Sequence, residues 1–291
     1  MKELSAVKLL SRLERAAALD PISERVSGVV NAVIRPRAVR DVLHGVPAGH
    51  PVHPVAVMIP IGCWTSAAIL DLVPGMGKAA RLLIAAGLLG VGPASLAGLT
   101  DWSELHPDQK RVGLIHAIAN VAASGLYLTS FLRRSSTTSG NGKLLALAGL
   151  SVVSVSGFLG GHLSYRQAAG ANHTEDVPHL FPTGWQRFAR LDSLTEGEPT
   201  SIQVAGQALL AVRRGDTVDV LSNTCSHLSG PLAEGQLVGV GADACIECPW
   251  HKSQFRLSTG DVTHGPATAP QPRFDIRIIE GVIEVRLPDA G

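Results

Sequence analysis

LLALAGLSVVSVSGFLGGHLSY, residues 144–165, runs for 22 positions between Lys143 and Arg166 without one Asp, Glu, Lys or Arg. About 20 such residues cross the hydrocarbon core of a bilayer as a helix. Its apolar residues lie all round the helix, which is the pattern of a segment surrounded by lipid or protein. Three like runs precede it: 54–70 before Asp71, 82–100 between Arg81 and Asp101, and 112–132 between Arg111 and Arg133. Core helices of a large soluble protein could share this composition, but four in succession across short charged loops point to membrane spans. Gly157 and Gly161 form a GxxxG pair, and Gly87, Gly90 and Gly98 thin the second helix, the small-residue pattern that lets membrane helices approach. The expectation is an all-α transmembrane four-helix bundle over residues 50–166.

The charge distribution agrees. The chain has 291 residues, 25 basic and 24 acidic, a net charge of +1 and a mean hydropathy of +0.22. Such a balance excludes a disordered chain and offers no basic field for nucleic acid. Of the 49 charges only 11 fall in residues 54–165. Residues 1–49 carry eight Lys or Arg and lack the uninterrupted apolar core of a secretory signal. Asp20-Pro21 reads as an N-cap and first helical residue, and Ile22, Val26, Val29, Val30 and Val33 follow at helical spacing. A basic amphipathic segment on the membrane surface is expected there, a solvated helical hairpin being the alternative.

Residues 167–184 turn polar and contain Pro178 and Pro182, the composition of a linker. From Trp185 to the end, short runs alternate apolar and polar residues. Leu210 and Val212 precede Arg214-Gly215-Asp216, with Val218 and Val220 after; Phe274, Ile276 and Ile278 precede Glu280-Gly281, with Ile283, Val285 and Leu287 after. These hairpin signals predict an all-β domain over residues 185–291.

Within it lie Cys225-Ser226-His227 and, after twenty intervening residues, Cys248-Pro249-Trp250-His251. Two thiolates and two imidazoles could hold tetrahedral zinc. The wording CSHLSG, then CPWHKSQF, then TGDVTHGPA and a terminal hairpin, resembles the Rieske iron–sulfur family in its ferredoxin-like branch, over about residues 185–288. That resemblance implies a [2Fe–2S] cluster, with Cys225 and Cys248 on one iron and His227 and His251 on the other. Two neutral imidazoles in place of thiolates make the cluster less anionic and raise its potential. The quinol-oxidising relatives of the family carry a bracing Cys in each box; here those places hold Gly230 and Trp250. Phe255 stands near a position where they use a Tyr hydroxyl, and Ser253 offers a donor to a sulfide. The expected potential is therefore low in the Rieske span. Lys252 departs from the pattern, in a place usually taken by Gly. Cys245 reads as a strand residue leading into the second box and Cys63 as packing in the first membrane helix.

Three further histidines, His53, His116 and His162, fall at helix ends that parity assigns to one membrane face, the face from which the β domain is tethered. Ionisable groups there are costly, so a haem b or quinone site is one expectation and interhelical hydrogen bonding the other. The sequence predicts a multi-pass protein of a bacterial cell membrane, carrying single electrons between a soluble donor and a membrane or oxygenase partner. A [2Fe–2S] redox sensor and a subunit of a quinone- or haem-linked oxidoreductase are the alternatives. No catalytic residue is expected, since a Rieske oxygenase needs a further two-His-one-carboxylate domain. Residues 1–165 resemble an uncharacterised bacterial family of four-helix membrane domains. The excess of Lys and Arg on the N-terminal side favours a cytoplasmic β domain, against Arg133-Arg134 read as a twin-arginine signal.

Overall fold

The computed structural model describes residues 5–134 and 140–288. It divides into two units, one of residues 1–35 with 51–169, the other of 36–50 with 170–291.

The first unit is all α. Helices α1 (Ser5–Glu14) and α2 (Asp20–Val33) are followed by α4 (Val52–Ala56), α5 (Met58–Asp71), α6 (Gly77–Ser103), α7 (Pro107–Arg133) and α8 (Gly140–Tyr165), while α3 (Arg37–His44) belongs to the second unit. Among the described residues, four helical stretches are long and apolar enough to cross a membrane: Val52–Asp71, Gly77–Ser103, Pro107–Arg133 and Asn141–Tyr165. Trp64 of α5 stacks on Tyr127 of α7 with ring centroids 4.0 Å apart, packed among Ala67, Ala80, Ile84, Ala123, Ala146 and Val153. Glycines make room for these rings. A Cβ on Gly87 would lie 2.3 Å from Trp64 Nε1, and one on Gly113 would lie 2.3 Å from Trp102 Cδ1. Gly157 meets nothing within 4 Å and Gly161 only Tyr165 at 3.8 Å, so the GxxxG pair makes no close helix crossing here.

Several charges in this unit pair across helices. At the far ends of α5 and α7, Arg134 binds Asp71 through two parallel bonds of 2.6 and 2.5 Å, with both side chains buried. Arg111 grips Asp20 at 2.6 and 2.7 Å and donates to the Glu14 carbonyl at 2.6 Å. Asp20 is thus a helical residue paired with α7 rather than the N-cap, which is Leu19. Helix α2 buries Ser23, Ser27 and Val30 and leaves Ile22, Val29 and Val33 exposed, so most of its apolar stripe points outward.

The second unit is mostly β. Its sheets have the orders β1-β10-β9 (Gln186–Arg190, Val282–Arg286, Asp275–Ile279), β2-β3-β4 (Thr200–Val204, Gln207–Arg214, Thr217–Ser222) and β5-β6-β7-β8 (Gln236–Val238, Cys245–Glu247, Gln254–Arg256, Val262–His264). All pairings between these strands are antiparallel. The two hairpin signals become two-residue turns, Arg214 pairing Thr217 across Gly215-Asp216 and Ile279 pairing Val282 across Glu280-Gly281. Gly215, Glu280 and Gly281 all have positive φ, which such turns require. Strand β3 is buried on both faces. Leu209 and Ala211 join a core with Phe188, Val220, Phe274 and Ile283, while Leu210 and Val212 join a second core with Leu232, Ile246, Phe255 and Leu257. The stretch expected as a linker is ordered from Gly170 on, where helix α9 (Val177–Leu180) puts Val177 into the first core, with Phe181 beside it.

Candidate metal centre

The second core carries the cysteines. Cys225 follows β4 and Cys248 follows β6, and each is about 1% exposed among Leu210, Leu221, Ile246 and Phe255. Each opens a loop of the same construction. In the first, Cys225 N–H donates to Gly230 O at 2.8 Å and Ser229 N–H to Cys225 O at 2.9 Å. In the second, Cys248 N–H donates to Ser253 O at 2.8 Å and Lys252 N–H to Cys248 O at 3.2 Å. The fifth residue of each loop is left-handed, Ser229 at φ 63° and Lys252 at φ 64°. That backbone region explains why glycine suits the place that Lys252 fills. The loops touch directly, since a Cβ on Gly230 would lie 2.8 Å from Cys248 Sγ and 3.2 Å from the Trp250 ring.

This construction sets His227 and His251 edge to face with ring centroids 5.0 Å apart. The thiols meet as well. The hydrogen bond to Cys248, then burial, pushes the Cys225 thiol up, while the same bond, followed by the backbone N–H groups of Trp250 and His251 and then the charge of Lys252, brings Cys248 down to about 7 against its burial. Among the described residues no three His, Cys, Asp or Glu side chains converge on a point suited to one metal ion. A thiol pair beside an imidazole pair fits a two-iron centre taking two ligands per iron. Ser253 is fully buried and its Oγ accepts the Ala267 N–H at 2.9 Å, which leaves its own hydroxyl hydrogen to donate. Phe255, also fully buried, has no hydroxyl to contribute. Cys245 lies in β6, with its Sγ 3.4 Å from Asp243 O and 3.6 Å from Thr263 Oγ1.

One residue of the centre escapes a reading of motifs. Gln271, 2% exposed, accepts the Ser226 N–H at 3.1 Å and donates to Ser222 O at 3.0 Å and to Thr224 O. It thereby fixes the backbone on both sides of Cys225. Its only mark in the sequence is a place between Pro270 and Pro272, which says nothing of what a carboxamide would meet.

The membrane histidines are engaged within their own unit. His53 Nδ1 lies 2.9 Å from Ala94 O, and its ring meets His116 edge-on at 6.3 Å. His116 Nδ1 lies 2.8 Å from Ser156 O, and its Nε2 is 3.1 Å from Asn120 Nδ2. His162 Nε2 is 2.7 Å from Glu14 Oε1.

Comparison with known proteins agrees with this geometry. A family model described as Rieske [2Fe-2S] domain matches residues 184–276, and one described as predicted membrane protein (DUF2231) matches residues 49–173. The anthranilate 1,2-dioxygenase ferredoxin subunit of Burkholderia cepacia is 36% identical over 104 residues, which are 35% of this chain and 92% of the relative. Ferredoxin CarAc of Metapseudomonas resinovorans is 32% identical over 102 residues, again 35% and 92%. The solved ferredoxin of carbazole 1,9a-dioxygenase from Nocardioides aromaticivorans IC177 is 35% identical, over 35% of this chain and 96% of that one, with a TM-score of 0.33. The paired cysteine–histidine loops and these relatives make the chain a member of the Rieske [2Fe–2S] ferredoxin family, joined in one polypeptide to a DUF2231 membrane domain.

Proposed function

We propose that this protein is a membrane-anchored one-electron carrier that serves a partner protein of the oxygenase kind. Cys225 and Cys248 hold one iron of the [2Fe–2S] cluster and His227 and His251 the other. The observation that carries this reading is the matched pair of loops, which brings thiol to thiol and imidazole to imidazole at 5.0 Å. When bound, the cluster supplies one-electron chemistry, taking an electron from a donor and releasing it to an acceptor with no covalent bond made or broken.

The protein's own residues do the rest. Burial of Cys225 and Cys248 keeps water from the sulfur side. Ser253 holds a hydroxyl hydrogen free to bond a sulfide, and Gln271 keeps the first loop in shape. His227 and His251 are only partly buried, and Trp250 beside His251 is 48% exposed, so the imidazole end faces outward for an exchange partner. The name of the Burkholderia cepacia relative, a ferredoxin subunit of anthranilate 1,2-dioxygenase, supports an oxygenase component as the acceptor. The four apolar helices keep the carrier at the bilayer, and the exposed Ile22, Val29 and Val33 of α2 suit contact with lipid. The excess of basic residues on the N-terminal side supports a cytoplasmic Rieske domain. A haem or quinone at His53, His116 and His162 is not part of the proposal: His53 and His116 meet edge-on at 6.3 Å, whereas His162 Nε2 is bound to Glu14 of α1.

The test is metal and sulfide analysis of the full-length protein, with electron-paramagnetic spectra of its reduced state. Two irons and two acid-labile sulfides per chain with a Rieske spectrum are expected, and His227→Cys or His251→Cys should abolish that spectrum. Zinc in place of iron and sulfide would refute the assignment.

A further inference from the structure

Helix α3 precedes every membrane span and lies outside the residues 184–276 that match the Rieske model, yet it belongs to the Rieske unit. Its first residue reaches the second ligand loop. Arg37 Nη2 donates to the Lys252 carbonyl at 2.9 Å across 215 positions of sequence. The same guanidinium is 3.7 Å from Glu247, the residue before Cys248. Glu247 also receives Lys252 Nζ at 3.4 Å and the Gln254 amide at 2.7 Å. Burial raises its carboxyl, but these donors and the two cations outweigh burial and hold it below the usual value.

One turn along, α3 grips the other side of the loop. Asp41 Oδ1 accepts the Gly265 N–H at 2.9 Å and Oδ2 lies 2.8 Å from His264 Nδ1. Two residues on, Ala267 N–H donates to Ser253 Oγ, and the Ser253 carbonyl accepts from Cys248 N–H. Contact is close as well as polar, since a Cβ on Gly265 would be 3.0 Å from Val46 Cγ2 and 3.3 Å from His44, itself 2% exposed. The six-residue loop from Cys248 to Ser253 is thus tied through Lys252 to Arg37 and through Ser253 to Asp41.

We propose that α3 is an intramolecular clamp on the second ligand loop, with Arg37 and Asp41 as positioning residues that set the loop's order and the cluster's potential from outside the Rieske fold. The inference rests on the reading that Cys248 and His251 hold the cluster. Two physical effects follow. Lys252 sits in a backbone region that L-residues avoid, and the bond from Arg37 to its carbonyl helps keep it there. The guanidinium also adds positive charge beside a centre that gains an electron, which favours the reduced form.

The test uses full-length protein in detergent, comparing the native chain with Arg37→Met, Arg37→Gln, Arg37→Lys and Asp41→Asn. The readouts are iron content, midpoint potential by spectroscopic redox titration, and hydrogen exchange at the Lys252 and Ser253 amides. Arg37→Met and Arg37→Gln should keep iron and lower the reduced-to-oxidised ratio about threefold at fixed ambient potential, about 28 mV at 59 mV per decade. Both should also speed exchange in the loop several-fold. Arg37→Lys should restore the potential but not the protection, since an ammonium keeps the charge without the guanidinium fork. Asp41→Asn should speed exchange with iron retained. Native potential and native exchange in Arg37→Met, Arg37→Gln and Asp41→Asn would overturn the clamp. A native chain without iron or a Rieske spectrum would instead overturn the ligand assignment beneath it.

Discussion

Replacing Gln271 by Leu should loosen the first ligand loop more than any other change that leaves the ligands in place. The side chain is nearly isosteric and the site is buried, so packing is conserved while three hydrogen bonds vanish. Each such bond contributes about 0.5–1.5 kcal/mol net, and a buried group left without its partner costs about 1–3 kcal/mol. The Ser226 N–H and the Ser222 and Thr224 carbonyls would all lose their Gln271 partner, for a total on the order of 3–5 kcal/mol. A domain of 60–100 residues shifts its midpoint by roughly 4–8 °C per kcal/mol, so a fall of at least about 12 °C is expected. The assay is loss of the cluster's visible absorption on heating, at one scan rate for all variants, beside far-ultraviolet circular dichroism to follow the membrane helices. Gln271→Glu should be no better than Gln271→Leu, because it keeps the acceptor for Ser226 but removes both donors and buries a charge. Loss of absorption within 2 °C of the native chain in both variants would refute the role of this carboxamide.

In the membrane unit, Asp71→Asn should cost about 3–5 kcal/mol by stranding the buried Arg134, and Asp71→Leu combined with Arg134→Met should recover much of it; denaturation of purified protein in mild detergent measures both. Gly87→Leu should displace Trp64 from Tyr127 at an overpacking cost of about 1–3 kcal/mol, read as loss of near-ultraviolet circular dichroism. The depressed carboxyl of Glu247 means that its contribution to stability is present above the ordinary value of 4.5 and is lost as pH falls through its lower folded value. Glu247→Gln should therefore flatten the acid limb of the cluster-loss profile, and an unchanged limb would count against it. Asp20, held down by its bond to Arg111, follows the same sign, so Asp20→Asn should flatten the acid limb of helix unfolding.

What could be read from the sequence was what chemistry forbids elsewhere. Lipid tolerates almost no unpaired charge, so charge-free runs marked the four long apolar helices found among the described residues. Two-residue turns need positive φ, so Arg214-Gly215-Asp216 and Glu280-Gly281 marked two hairpins. Cysteine and histidine two residues apart in one box and three apart in the other marked the two loops that meet at Gly230 and Cys248. Periodicity, by contrast, says which residues share a face and not what that face meets. Ile22, Val29 and Val33 do line one side of α2, but that side points outward while Ser23 and Ser27 are buried. Small residues were legible as small, yet Gly87 makes room for an indole while the GxxxG pair at Gly157 and Gly161 closes on no neighbouring helix. Contacts spanning long sequence separations, such as Arg37 with Lys252 or Gln271 with Ser226, leave no trace in any local pattern.

The two ligand loops share one hydrogen-bond plan but differ at the residue that the plan strains most. In each, the left-handed position would be filled at least cost by glycine, by about 1 kcal/mol. The chain places Ser229 in one and Lys252 in the other, and each side chain reaches a specific partner. Ser229 Oγ lies 3.2 Å from His173 Nδ1, in the segment leading out of the membrane unit. Lys252 Nζ lies 3.4 Å from Glu247, within the network that Arg37 completes. Backbone preference alone would choose glycine at both places, so the contacts made by these side chains must offset the strain. The charge differs between the loops too, with a cation beside Cys248 and a neutral hydroxyl beside His227. The electrostatic asymmetry of the centre is therefore set in part by residues whose backbone would favour glycine, and on the second loop it is reinforced from α3, a helix outside the Rieske fold.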